Sequence, residues 1–165
     1  MIHQKAQDYI RLIQGQQLFS VSRMADMGCF AFGSTEKQSW PTYAVHLQCP
    51  FRLVSKSGRI LFTSQDIYLS HDGEWMQGTS WDTAGANLFD QSAKSWFNDN
   101  PDLYVTSVLL TPLGDLKIEF SNEDRLEVFV NQSANAPADN ECWRFLERCS
   151  ESEHLVVSGR GDRYE

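Results

Sequence analysis

No stretch of the 165 residues approaches the roughly 18 consecutive apolar residues of a membrane-spanning helix. The opening Met1-Ile2-His3-Gln4-Lys5-Ala6-Gln7-Asp8 has no apolar core and no small-residue cleavage site, so no secretory signal is read there. Basic charge is scarce: 14 Lys and Arg stand against 22 Asp and Glu, a formal net charge of −8. That balance argues against nucleic-acid binding, which needs a basic footprint to displace counterions from phosphates. The four cysteines, Cys29, Cys49, Cys142 and Cys149, form no C-x-x-C pair. Neither a zinc signature nor a disulfide framework is expected, and the thiols read as free and mostly buried in a cytosolic chain. Also missing are a glycine-rich phosphate loop, a nucleophile elbow and an H-E-x-x-H motif. Arg160-Gly161-Asp162 and Asn131-Gln132-Ser133 match adhesion and glycosylation patterns that matter only outside the cell. The tail around Arg160 and Arg163 reads as a frayed terminus.

What is present suffices for a core. Apolar residues make up 41% of the chain and aromatics 12%, and the length fits one domain over residues 1–165. Ala6, Tyr9, Ile10 and Ile13 repeat at helical spacing, with Gly15 as the stop. The period then changes to two. Gln17–Met24 and Cys29–Gly33 read as strands joined around Ala25-Asp26-Met27, followed by a polar loop over Ser34–Pro41. From Tyr43 to Ser55, Val45, Leu47, Cys49, Phe51 and Leu53 share one face of a long strand, with Pro50 marking an edge or a bulge. Ser57-Gly58 turns the chain into Arg59–Thr63, and Asp66–Leu69 extends the sheet. Between residues 70 and 102 one helix is expected over Gln91–Asp99, capped by Asp90. The segment His71–Leu88 reads as an ordered loop anchored by its indoles.

The sharpest local expectation is a meander from Leu103 to Val130. Tyr104–Leu110 is followed by a turn at Pro112–Asp115, then by Leu116, Ile118 and Phe120, and by Leu126, Val128 and Val130. A three-residue loop, Ser121–Glu123, sets Ile118 opposite Leu126 and Leu116 opposite Val128. It also sets Glu119 against Arg125 and Lys117 against Glu127 as cross-strand charge pairs. After a polar stretch, Glu141–Arg148 and His154–Ser158 read as strands, with Trp143 and Phe145 on one face and Arg144 on the other.

Few residues point to chemistry. His46 and Cys49 lie an odd number of residues apart on a strand, hence on opposite faces, which disfavours a catalytic pair. His3, His46, His71 and His154 are too scattered for a metal site, and no metal or cofactor is expected. Asp66, Asp72, Glu74, Asp82 and Asp90 form an acidic run beside Trp75, Trp81, Trp96 and Phe97. Trp75, Trp81, Asp82 and Asp90 are therefore the candidate contacts for a basic protein partner, since indoles are frequent interface anchors and acids steer association. Arg23, Asp26, Arg52 and Arg144 stand in or beside apolar strands. They form structural ion pairs or, with His46, line a pocket.

The stretches Arg23-Met24-Ala25-Asp26-Met27, Phe30-Ala31-Phe32-Gly33 and His46-Leu47-Gln48-Cys49-Pro50-Phe51-Arg52 resemble a family of small uncharacterised bacterial proteins. Asp66-Ile67-Tyr68, Asn87-Leu88-Phe89-Asp90 and Glu141-Cys142-Trp143-Arg144-Phe145 continue that resemblance, with Phe51 where Trp is expected. The family carries no activity over to these residues. In size, acidity and β-rich pattern the chain is also similar, as a class, to bacterial toxin-immunity proteins. The expected fold is α+β: a mostly antiparallel sheet, curled or in two layers, flanked by an N-terminal helix and one short internal helix. The expected function is a non-enzymatic cytosolic binding protein, in its most concrete form an immunity-like inhibitor that covers a basic site. A small-molecule pocket or enzyme, and a self-association module, are the alternatives.

Overall fold

A computed structural model of the chain describes residues 1–33 and 40–165. It opens with α1 (Gln4–Ile10), prolonged by a 3-10 turn at Arg11–Ile13. Ala6, Ile10 and Ile13 are fully buried, as their helical spacing requires. Strands β1 (Leu18–Met24) and β2 (Met27–Phe32) form a hairpin in which Met24 faces Met27 and Ala25 takes a positive φ of 50°. β3 (Tyr43–Leu47) follows, then β4 (Phe51–Val54) and β5 (Ile60–Thr63). Next comes α2 (Leu88–Asp99), then β6 (Val105–Leu110), β7 (Leu116–Phe120) and β8 (Arg125–Val128). The chain ends with β9 (Trp143–Glu147), β10 (Leu155–Ser158) and β11 (Gly161–Tyr164). The polar loop expected over Ser34–Pro41 falls mostly on residues 34–39, outside the described residues.

The strands form two antiparallel sheets, ordered β1-β2-β3-β9-β10-β11 and β5-β4-β8-β7-β6. Among the described residues the architecture is α+β, with two α-helices and two antiparallel sheets; the class matches the expected one, and the choice left open between a curled sheet and two is settled as two. One apolar cluster joins both sheets and both helices. Within it, edge-to-face aromatic contacts run from Phe30 on β2 to Phe51 on β4, then to Phe89 on α2. They continue through Phe62 on β5 and Trp96 on α2 to Phe120 on β7. Such pairs contribute about 0.5–1.5 kcal/mol each beyond their buried area. Helix α2 lies against β1 and β5, one edge strand from each sheet, whereas α1 lies along β6. The sheets approach closely at Gly28, where an added Cβ would stand 2.7 Å from the Phe51 ring.

The meander register matches expectation: Ile118 pairs with Leu126 and Leu116 with Val128. Glu123, at φ 69°, completes the three-residue loop, and the Phe120 amide donates to the Asp124 carbonyl at 2.9 Å. The charges, however, bond along the strands, Lys117 to Glu119 and Arg125 to Glu127. Arg52 on the neighbouring β4 also bonds Glu127 and draws it away from Lys117.

Other expectations need correction. The alternation from Tyr43 to Ser55 is not one strand. It breaks at Gln48-Cys49-Pro50, where the chain leaves one sheet for the other. Neither half is an edge: β3 lies between β2 and β9, and β4 between β5 and β8. Alternation persists through the break because Val45, Leu47, Cys49, Phe51 and Leu53 all enter the same core. Ser64–Tyr68 is a 3-10 helix rather than more sheet, started by a capping box between Thr63 and Asp66. Helix α2 begins three residues before Gln91, and its cap is Asn87, whose side chain accepts from the Asp90 amide at 2.8 Å. The tail is not frayed. It forms β11, and the Asp162 carboxylate accepts from the His3 amide and ring at 2.9 and 2.8 Å. Replacing Gly28 by alanine forces the Phe51 ring out of its place. The expected loss is about 1–3 kcal/mol in urea unfolding, typical of an overpacked core.

Candidate functional site

The site is built around the β1–β2 turn. Arg23, the next-to-last residue of β1, has a side chain only 6% exposed. Its Nε and Nη2 donate to the two oxygens of Asp90 at 2.8 and 3.0 Å. Nη1 donates to Asp82 Oδ1 at 3.1 Å and to the Ala25 carbonyl at 2.9 Å. Nη2 also reaches the carbonyls of Trp81 and Thr83, both at 3.2 Å. Burial opposes the charge, but the bonds and charges of Asp90 and Asp82 outweigh it and hold the pKa of Arg23 above its usual value. All the donors of this guanidinium are engaged, so it fastens β1 to α2 and to the 3-10 turn Ser80–Asp82.

Two further ties complete the frame. The Tyr68 hydroxyl donates to Asp26 Oδ2 at 2.8 Å, and the Tyr68 ring packs on Trp81 at 5.0 Å between centroids. The Asn87 side chain, besides capping α2, donates to the Trp81 carbonyl at 2.9 Å. The segment between these ties is exposed but ordered. Leu69 bridges to Trp75, Ser70 bridges to Asn87, and the Ser70 amide donates to the Glu74 carbonyl at 2.8 Å. Trp75 therefore sits on a pinned turn with its side chain outward, 60% exposed, just after the exposed acids Asp72 and Glu74 and before the half-buried Met76.

The sequence candidates thus divide. Of Trp75, Trp81, Asp82 and Asp90, the first faces solvent and Asp82 is 53% exposed while holding Arg23. Trp81 packs inward, and Asp90, 16% exposed, is consumed by Arg23. The expectation that both indoles anchor the loop holds for Trp81 and fails for Trp75. Asp90 does not cap α2, since it sits in the first turn with its carboxylate turned to Arg23.

The five pocket candidates lie in three places. Arg23 and Asp26 are at the β1–β2 turn. Arg52 lies on the five-stranded sheet, bonded to Glu127, with its guanidinium 5.1 Å from the Phe129 ring. His46 and Arg144 are paired neighbours on β3 and β9. Arg23 borders a cleft of about 290 Å³ with Asp82 and Asp90, and Arg144 borders a separate one of about 490 Å³ with Gln48 and Glu141. Arg144 is held by Glu141, with Glu165 and His154 close by. Burial pushes the His46 pKa down from its ordinary 6.5, and Arg144 and Arg148 push it further against the pull of Glu141. Among the described residues, no three His, Cys, Asp or Glu side chains converge as metal ligands would. The four cysteines are free, with Cys49 and Cys142 buried, Cys29 half-buried and Cys149 exposed. No helix of the described residues is long and apolar enough to cross a membrane.

Sequence reasoning missed Tyr68 and Asn87, which position this site. The Asn87–Asp90 spacing carries a capping signal, and Thr63–Asp66 carries another, but nothing local marks Tyr68 as the partner of Asp26. Comparison of the chain with protein-family models, curated proteins and solved structures found no match in any of the three. The family resemblance therefore rests on the quoted motifs alone.

Three outcomes follow. Replacing Arg23 by methionine removes the cation from the Asp90 carboxylate, which is 16% exposed and keeps the Gly85 amide as a donor at 2.8 Å, and the expected loss is about 3 kcal/mol in denaturant unfolding. Asp82→Asn, at an exposed partner, is expected to cost about 1 kcal/mol or less. For His46, the folded-state pKa lies below the unfolded value, so the unfolded chain binds the extra proton. Wild-type stability therefore falls relative to His46→Gln as pH drops through about 6.5, and the two profiles run parallel above that range. Urea titrations across pH about 5 to 8 check this.

Proposed function

We propose that the protein is a non-enzymatic binding protein whose 71–86 segment docks on a basic protein, in the manner of an immunity-type inhibitor of a bacterial cytosolic partner. The observation that carries this reading is Trp75: a large indole held outward on a turn whose backbone is already ordered. Exposing an indole in water sacrifices its burial energy, and pre-ordering the turn removes entropy that binding would otherwise cost. Its surroundings set the sign of the partner. Between Arg59 and Lys94 the chain has no lysine or arginine, while Asp66, Asp72, Glu74, Asp82 and Asp90 fall in the same stretch. Asp72, Glu74 and Asp82 are exposed there, and the whole chain carries −8. Such a surface attracts a basic face over a screening length of about 8 Å at physiological salt. The mechanism is occlusion: the indole fills an apolar notch while the acids neutralise cations around a basic site.

The test is affinity capture from the source cells followed by titration with the captured protein. One stoichiometric basic partner is expected. Trp75→Ala is expected to weaken binding about thirtyfold or more, as loss of an interface anchor does. Glu74→Lys is expected to slow association and flatten its salt dependence. Both sites are exposed, so circular dichroism and melting are expected to be unchanged. A partner that binds both variants as tightly as wild type, or no partner at all, overturns the proposal.

A further inference from the structure

We infer that a second site, at the opposite end of β1 from Arg23, binds a small organic cation carried on an apolar body. The site is a cleft of about 410 Å³ between the start of β1 and the C-terminal end of α2, within the size range of small-molecule pockets. Its apolar walls are Leu18, Phe19, Phe97 and Pro101, and its polar side chains are Gln17, Asn98 and Asp102, the last being the charged one. Three features of the backbone build it. The register of β1 against β2 slips between Leu18 and Ser20, and this bulge turns Phe19 outward, leaving it 38% exposed on the cleft wall. Helix α2 ends at Asp99, so its carbonyl end, the negative pole of the helix, lies at the cleft, and its last turn holds no basic residue. Asp102 then takes a φ of 62°, a left-handed turn that Asp tolerates better than most residues.

Among the described residues the charge of the lining has one sign. Residues 12–22 and 95–116, which supply nearly all of the lining, contain no lysine or arginine. Among the described residues, Gln17 Nε2 is the side-chain donor to Asp102, at 2.9 Å on Oδ1. Among the described residues the second carboxylate oxygen has no side-chain donor, and it can accept from an ammonium or guanidinium. Phenyl rings at Phe19 and Phe97 suit the same ligand twice: they shield its apolar body from water and present negative ring faces to its charge. An anion would meet Asp102 and the helix carbonyls and be repelled. A neutral apolar molecule would gain the walls and forgo the carboxylate.

The experiment uses the full chain and follows backbone amide resonances during titration with phenethylammonium, with phenethyl alcohol and 3-phenylpropionate as its neutral and anionic counterparts. Saturable shifts centred on Phe19, Phe97 and Asp102 are expected for the cation, with markedly weaker binding of the alcohol and none of the carboxylate. Asp102→Asn keeps the left-handed turn and the bond from Gln17 while removing the charge. It is expected to weaken the cation roughly tenfold, as loss of a charge-assisted hydrogen bond does, and to leave the alcohol unchanged. Phe19→Ala, at an exposed position, is expected to weaken both. Absence of saturable shifts at these amides overturns the inference. So does equal binding of cation and carboxylate, or an Asp102→Asn variant that binds the cation as wild type does.

Discussion

The guanidinium of Arg23 is the interaction on which the rest of this structure depends. A cation with 6% of its side chain exposed is tolerable only when every donor is matched. Matching it draws in Asp90 from α2, Asp82 from a short 3-10 turn and three carbonyls from two segments. Those partners are far apart in sequence, so one side chain sets how the first hairpin, the acidic segment and the internal helix sit together. Satisfying it occupies both oxygens of Asp90 and Oδ1 of Asp82, which turns two apparent surface acids into parts of the frame. What the frame leaves outside is Trp75 with Asp72 and Glu74, and that remainder forms the proposed docking surface.

The two sheets are held by a different kind of contact. Aromatic rings from β2, β4, β5, β7 and α2 meet edge to face in a continuous chain through the shared core. The chain passes between the sheets at Cys49-Pro50 without losing its alternation. Pro50 has no amide to offer a ladder, and its carbonyl accepts from the Phe129 amide at 2.9 Å on the five-stranded side. Helix α2 then covers one edge strand from each sheet, and α1 covers β6, so bare edges that invite further pairing are reduced. The surface chemistry follows from this closure. The bulge at Phe19 and the end of α2 meet where α2 stops covering β1, and the resulting cleft takes its negative sign from the helix end and Asp102.

How much was legible depends on the range of the physics. The α1 stripe, the Ser57-Gly58 hairpin and the register of β7 against β8 were readable, because hydrophobic period and loop length act over a few residues. Capping was readable in principle and misassigned in practice: Asp90 and Asn87 both suit a cap, and the choice between them turned on Arg23, distant in sequence. The tail looked disposable for the same reason. Nothing near Asp162 shows that its carboxylate will anchor His3 at the other end of the chain.

The candidate site divides along the same line. The sequence by itself determined the class of the fold, the acidic sign of the 66–90 stretch and the presence of indoles within it. Composition and periodicity are properties of neighbouring residues. Which indole faces water, which acid is spent on a buried cation, and where one alternating run parts into two sheets were decided only in three dimensions. These are outcomes of competition among distant partners for the same few donors and the same core volume. Arg23 could have met Asp26, one turn away, yet Asp26 went to Tyr68 and Arg23 to Asp90 because packing α2 on β1 brought that carboxylate within 2.8 Å.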